Sequence, residues 1–198
     1  MYPPPYHQST DIQKMIALIR AYPLGMLVSA LESKPFITHI PIIYNQASGA
    51  LIAHIDKYNP QVETLKEGAE VTVVFRGPDA YISPSIYTTE QLPTWNYIIA
   101  HITGTVSLIN DPEAAKETMI AMTKFLEGPQ QRFILERDNE RMDRAVNYIQ
   151  AFAITITKWE GKFKLSQDKI EADQQNAKEA LIKKSGESAA GFIDSIYH

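Results

Sequence analysis

Between Gly77 and Tyr97 the chain reads GPDAYISPSIYTTEQLPTWNY, setting Pro78, Pro84 and Pro93 among Tyr81, Tyr87, Trp95 and Tyr97. Solvated loops seldom have this composition. Aromatic rings clustered with Ser83, Ser85, Thr94 and Asn96 between them suit a concave site that stacks on a flat ligand and hydrogen-bonds its edge. The same residues also suit a rigid, well-packed loop closing one end of a barrel, with Ser83 and Ser85 capping the turn around Pro84. Trp95 has two readings as well, as a wall of a ligand site or as an interface anchor.

His39, His54 and His101 could converge on a metal or supply a haem ligand. No pair of them has the i, i+4 spacing of a helical zinc site, and a lone histidine on a strand is more often a satisfied core residue. The chain has no cysteine, which excludes disulfides, thiolate metal sites and a cysteine nucleophile; no metal centre is expected. Arg132, Arg137, Arg141 and Arg144 partly share a helical face, but Glu136, Asp138, Glu140 and Asp143 are interleaved with them, so the segment reads as locally ion-paired. Pro3-Pro4-Pro5 reads as a rigid N-terminal arm.

The elements that must position these residues follow from periodicity. Thr10-Asp11-Ile12-Gln13 reads as a capping box, with Ile12, Met15, Ile16 and Ile19 on one helical face up to Tyr22-Pro23. Three antiparallel strands follow in GMLVSA, PFITHIPIIY and ALIAHI, the second placing Ile37, His39 and Pro41 opposite Phe36, Thr38, Ile40 and Ile42. A short helix from Asn59-Pro60 to near Gly68 leads to a buried strand, AEVTVVFRG, and then to the long aromatic loop. YIIAHITGTVSLI predicts a fifth strand with a bulge at Gly104. Asp111-Pro112-Glu113 starts a helix ending at Gly128-Pro129 and packed across the barrel. Gln130 to Gln150 is helical in propensity, and Phe152, Ile154 and Ile156 alternate in a last barrel strand. Trp159-Glu160-Gly161 then turns into a short return strand, KFKLS, and terminal helices span 170–184 and 188–197. The fold class expected is α+β: a barrel of about six antiparallel strands with flanking helices. Small barrels fill their interior with side chains, so a ligand binds outside the barrel or at a subunit seam.

A hydrophobic content of 44% in 198 residues supports one full core. The net charge of −4 is spread as 8 Lys+Arg against 12 Asp+Glu in residues 1–128, and 11 against 11 in residues 129–198. Neither part is basic in the way that phosphate neutralisation on DNA requires, so DNA is a possible partner that charge does not support. No apolar run approaches the ~20 residues needed to span a bilayer, and no membrane partner is expected. The N-terminus lacks signal-peptide character, so a cytoplasmic location is the expectation.

GPDAYISPSIY followed by LPTWNY, together with THIP from Thr38 to Pro41, HIDKYNPQ from His54 to Gln61 and KFKLSQ from Lys162 to Gln167, resembles the PaiB-type FMN-binding negative transcriptional regulators. These belong to the split β-barrel flavoprotein superfamily, related to the pyridoxamine 5'-phosphate oxidases. The resemblance covers roughly residues 1–170 and implies a Greek-key split barrel over 1–168, with a C-terminal helical extension over 169–198. It also implies a homodimer with FMN at the subunit interface. The flavin-dependent activity, if the protein is an enzyme, would be that of an oxidoreductase. Alternatives are a flavin-free regulator acting through DNA or a protein partner, and a haem-binding split barrel.

The resemblance further implies which residues touch FMN. Thr38, His39, His54, Lys57 and Asn59 would lie about the ribityl phosphate. Tyr81, Ser83, Trp95 and Asn96 would reach the ring, and Lys164, Ser166 and Gln167 would lie near the site. The chain departs from the family pattern where Lys57 stands for the usual arginine, Asp56 for a small residue and Asp168 for asparagine. Loss of the guanidinium fork, with a carboxylate beside it, costs about 1 kcal/mol, roughly tenfold in affinity, if Asp56 faces the phosphate.

Overall fold

The computed structural model describes residue 1 and residues 4–197. Of the proline arm, Pro3 lies outside the described residues, while Pro5 opens a short 3-10 turn over Pro5–His7. Seven strands are present: β1 (Gln8–Ser9), β2 (Leu24–Leu31), β3 (Lys34–Asn45), β4 (Ala50–Asp56), β5 (Glu70–Ile82), β6 (Thr94–Ile109) and β7 (Ile149–Lys164). The helices are α1 (Ile12–Ala21), α2 (Pro112–Glu127), α3 (Glu140–Ala145), α4 (Glu171–Ser185) and α5 (Ala190–Tyr197). The strands are ordered β1-β7-β4-β3-β2-β5-β6, and β7 also pairs with β6, so the six longer strands form a ring of hydrogen bonds. This is the split β-barrel. No helix among the described residues is long and apolar enough to cross a membrane.

Backbone contacts divide the chain into two compact units. One comprises Met1–Tyr22, Phe75–His101 and Trp159–His198; the other comprises Pro23–Val74 and Ile102–Lys158. In the first, α1 packs against α5, which also meets α4, and Met15, Leu18, Ile19, Phe75, Ile82, Ile98 and Ile193 are fully buried. Gly77 permits the close approach of α1, since a Cβ there would lie 2.7 Å from Leu18 Cδ1. In the second, Leu27, Ile42, Leu51, Val73, Ile102, Phe152 and Ile154 are fully buried, each stabilising the fold by roughly 1.5–3 kcal/mol over exposure. There α2 packs against β3 and β4.

Several local expectations are corrected. The cap of α1 is Asp11 rather than Thr10: its Oδ1 accepts from Gln13 N at 2.9 Å and Lys14 N at 3.2 Å, so one carboxylate satisfies two of the orphan donors. Ile12 is consequently 44% exposed instead of joining the buried face. The helix expected after Asn59 is a 3-10 turn that stops at Thr64. The aromatic segment is only partly a loop, because β5 runs on to Ile82 and β6 begins at Thr94. Gly104 serves a close approach: a Cβ would sit 2.4 Å from Thr155 O. Residues 130–138 carry no helix despite their propensity. Their Arg137 instead reaches back to α2, pairing with Glu113 at 2.9 Å and with Glu117. Trp159-Glu160-Gly161 is no turn. β7 continues through it, and Gly161 admits β1 alongside, where a Cβ would meet Ser9 O at 2.9 Å.

Candidate functional site

Along β6 the alternation of a strand sorts the aromatic motif cleanly. Asn96, Ile98, Ala100 and Ile102 are fully buried, while Trp95, Tyr97, Ile99 and His101 face the other way and line a cleft of about 410 Å³. Arg76, Asp79, Lys162 and Met1 complete its lining. On β5 the in-out alternation slips by one residue at the consecutive buried pair Gly77-Pro78, so Arg76, Asp79 and Tyr81 all point outward. A phase slip of this kind is how a bulged strand re-aims side chains. Asp79 Oδ1 accepts from Trp95 Nε1 at 2.8 Å and Asp79 Oδ2 accepts from Arg76 at 2.7 Å. The Tyr81 and Trp95 rings lie 6.3 Å apart at 57°. The result is an indole held in one orientation beside cations. Burial pushes the His101 pKa below its ordinary value, with the Glu160 carboxylate opposing and the N-terminal ammonium assisting.

Lys164, Ser166, Gln167 and Asn96 gather around the end of β7. Asn96 Nδ2 donates to Ser166 Oγ at 3.0 Å, and the Tyr87 hydroxyl lies 3.0 Å from the same oxygen. Lys164 Nζ donates to Thr94 Oγ1 at 2.5 Å. Gln167 turns back on its own strand, its Nε2 donating to Phe163 O and its Oε1 accepting from Leu165 N. Ser83 caps the turn after β5, accepting from Ser85 N at 3.3 Å. The loop between β5 and β6 is tied down by α4: Asp173 accepts from Thr88 N, Thr88 Oγ1 and Thr89 Oγ1 at 2.6, 2.8 and 2.5 Å. Asn176 Nδ2 donates to Ile86 O at 2.8 Å.

In the other unit, Asn59 caps the 3-10 turn by accepting from Gln61 N at 2.9 Å and donates from Nδ2 to Thr38 Oγ1 at 3.1 Å. Lys57 is exposed and donates to Asn147 O at 2.9 Å. Asp56 Oδ1 accepts from Tyr58 N at 2.8 Å, so this carboxylate shapes the turn. His39 is exposed on β3, on the face with Ile37 and Pro41. His54 on β4 is half-buried, its Nδ1 lacks a partner, and burial lowers its pKa. Among the described residues no group of three or more His, Asp or Glu could hold a metal.

The sequence reading missed Arg76, Asp79 and Asp173. An Asp two residues before a tyrosine in GPDAY carried a signal only through its proximity to PTWNY, which the strand pairing makes spatial.

The sequence model of the family described as "Putative FMN-binding domain" matches residues 1–158. The chain belongs to that family. A Bacillus subtilis relative, Protease synthase and sporulation protein PAI 2, is 29% identical over 192 residues, spanning 96% of this chain and 93% of its own. Uncharacterized protein YKL070W of Saccharomyces cerevisiae is 28% identical over 167 residues, spanning 71% and 96%. Among solved structures, the FAD and haem binding protein from Mycobacterium smegmatis superposes with a TM-score of 0.64 at 20% identity, over 80% of this chain and 73% of that one. The flavocytochrome Anf3 from Azotobacter vinelandii gives 0.64 at 15%, over 84% and 74%. These structures share the fold, and family membership gives this FMN-binding domain its cofactor, a flavin.

The residues present fit such a group. The cleft on β6 lies within the size range of small-molecule sites and joins an aromatic wall to Arg76 and the buried Lys162.

Proposed function

We propose that this protein is a homodimeric FMN protein that rests the isoalloxazine against Trp95 in the β6 cleft. The observation that carries this reading is the Arg76–Asp79–Trp95 chain of hydrogen bonds, which holds a large aromatic face in one orientation before any ligand arrives. When bound, the flavin supplies one- and two-electron redox chemistry. The chain binds and orients: Trp95, Tyr97 and Ile99 offer an apolar wall, and Arg76 and Lys162 offer positive charge. His101 is kept neutral at physiological pH by burial, so it offers a neutral imidazole to whatever hydrogen-bonds beside it. Thr38, Lys57 and Asn59, gathered at one turn of the other unit, are proposed by themselves as a phosphate-binding turn. Lys57 is the freest of these, held only at an exposed carbonyl.

Titration with FMN, followed by visible absorption after desalting, tests the reading. Retained flavin bands in the wild type, lost in Trp95→Ala and weakened about tenfold in Lys57→Ala, are the expected result. A wild-type chain that leaves FMN unbound would overturn it.

The dimer is proposed from the outer face of β2 and β3, where register pairs Leu24 with Pro41, Met26 with His39 and Val28 with Ile37. Leu24 and Ile37 are 61% and 56% exposed, an apolar strip of the sort that interfaces cover. A regulatory role is a second reading, suggested by the Bacillus subtilis relative, whose name is that of a protease synthase and sporulation protein. The charge balance points to a protein partner rather than DNA as the route. Salt-sensitive retention of its own promoter DNA would reverse that preference.

A further inference from the structure

Beside the β6 cleft's residues, the first unit contains a second cavity, of about 310 Å³, lined by Tyr6, His7, Leu92, Lys164, Ser166 and Lys169 among others. Three features set it apart from an ordinary surface hollow. His7 is 93% buried and its Nε2 has no hydrogen-bond partner, an arrangement native proteins rarely leave without a reason. Ser166 has φ +63°, the sole described non-glycine residue in the left-handed region outside the Glu32-Ser33 hairpin turn. Its hydroxyl is locked by the buried Asn96 and by Tyr87. A non-glycine residue held in this region by its surroundings is a recurrent mark of ligand sites. Finally, the charges that act on His7 are Lys162, Lys164 and Lys169 against Asp168. His7 itself stays neutral, because burial lowers its pKa and the lysines add to the effect against the Asp168 carboxylate.

We propose that this cavity is a binding site for the oxyanion of a small organic acid or phosphate monoester, held by Lys164 and Lys169 with the apolar part of the ligand against Tyr6 and Leu92. Lys164 Nζ gives one hydrogen bond to Thr94 Oγ1 and Lys169 Nζ one to Asp168 Oδ2 at 2.7 Å. An ammonium carries three donors, so each retains capacity for an anion. Asp168 opposes an anion and its contact with Lys169 offsets one of the two lysine charges, so Lys164 supplies the net positive charge and Lys169 supplies hydrogen-bond donors. The volume is at the small end for ligand sites, which selects a compact molecule over a nucleotide or a peptide. The site takes none of its lining from the β6 cleft, but it includes Lys164 and Ser166, which the family resemblance sets near the flavin, so competition with FMN distinguishes a second site from part of the first.

The test is an amide NMR titration of the full chain, once alone and once with FMN added, using inorganic phosphate in one arm and acetate in the other at constant ionic strength. Saturable shifts at Thr94, Ser166 and Lys169 with millimolar half-saturation are expected in at least one arm. Phosphate alone would identify a phosphate ester, acetate alone a carboxylate, and both a general oxyanion site. Lys164→Met should raise the half-saturation about tenfold. Because Lys164 is half-buried, Leu92→Glu serves as the second variant: at 84% exposure it leaves the fold alone and brings a repelling carboxylate to the rim, again weakening binding. Absence of saturable shifts in both arms would overturn the proposal, as would half-saturation unchanged in both variants. Displacement of FMN by phosphate with the same half-saturation would also overturn it, since the cavity would then belong to the flavin.

Discussion

Trp95 Nε1 donates to Asp79 Oδ1 at 2.8 Å across the β5–β6 pair, and the same carboxylate receives Arg76 on its other oxygen. An exposed indole would otherwise sample several rotamers, and ordering it on binding costs about 0.5–1.5 kcal/mol. Asp79 removes that cost in advance. Asp79→Leu should therefore weaken FMN binding about tenfold with only a modest loss of stability, because the Arg76 side chain is 66% exposed and returns to water when its partner is removed. Trp fluorescence quenching during an FMN titration measures the first effect and a urea melt the second. Asp79→Asn, which keeps an acceptor for the indole, should lose less.

The outer strip on β2 and β3 predicts oligomeric state. Ile37→Asp introduces charge at a side chain that is 56% exposed, so the monomer fold tolerates it. Sedimentation should show a dimer for the wild type and a monomer for the variant. A wild-type monomer would remove the interface.

Asn96 is fully buried and bonds Ser166. Asn96→Ala leaves the Ser166 hydroxyl short of a partner and should cost about 2 kcal/mol in a urea melt. Ser166→Gly and Ser166→Ala lose the same hydroxyl but differ in backbone cost. The glycine variant should be the more stable of the two by about 1 kcal/mol, because only glycine adopts the left-handed region without strain.

Acid should loosen the loop between β5 and β6. Burial pushes the Asp173 carboxyl up, but hydrogen bonds from Thr89 and Thr88 outweigh it and hold the group below the ordinary aspartate value. A carboxyl with a lowered folded-state pKa contributes stability that is fully present above the unfolded value and is lost as pH falls through the folded one. Hydrogen exchange at the Thr88 amide, which donates to Asp173, should accelerate as pH falls below the ordinary aspartate range, after correction for intrinsic rates. In Asp173→Ala, which removes the acceptor, exchange should be fast throughout, with that acid dependence gone.

Strand and helix identities were legible where a single local rule governed them. Alternation in PFITHIPIIY set Ile37 and Ile42 on opposite faces, of which the structure buries Ile42, and Asp111-Pro112 started α2, because burial parity and capping depend on neighbours within a few residues. Motif order likewise pointed to the family and to a flavin, which the family match bears out. The segment after Gly128 was legible only in part: Glu140–Ala145 is helical, but residues 130–138 are irregular and Arg137 pairs with Glu113 and Glu117 on α2, a contact that no local propensity encodes. Trp159-Glu160-Gly161 looked like a turn, yet Gly161 is where β1 packs against a continuing strand.

The candidate site divides in the same way. Trp95, Tyr81 and Lys164 stand out in sequence as residue types suited to a ligand. Only the tertiary structure decided that Asp79 holds Trp95, that Asn96 and Tyr87 lock Ser166, and that Asp173 ties the aromatic loop to α4. Each of these bonds joins residues 16 or more positions apart. Local composition determines what a side chain can do, whereas its partner and orientation are set by strand pairing and helix packing, which no short-range pattern encodes.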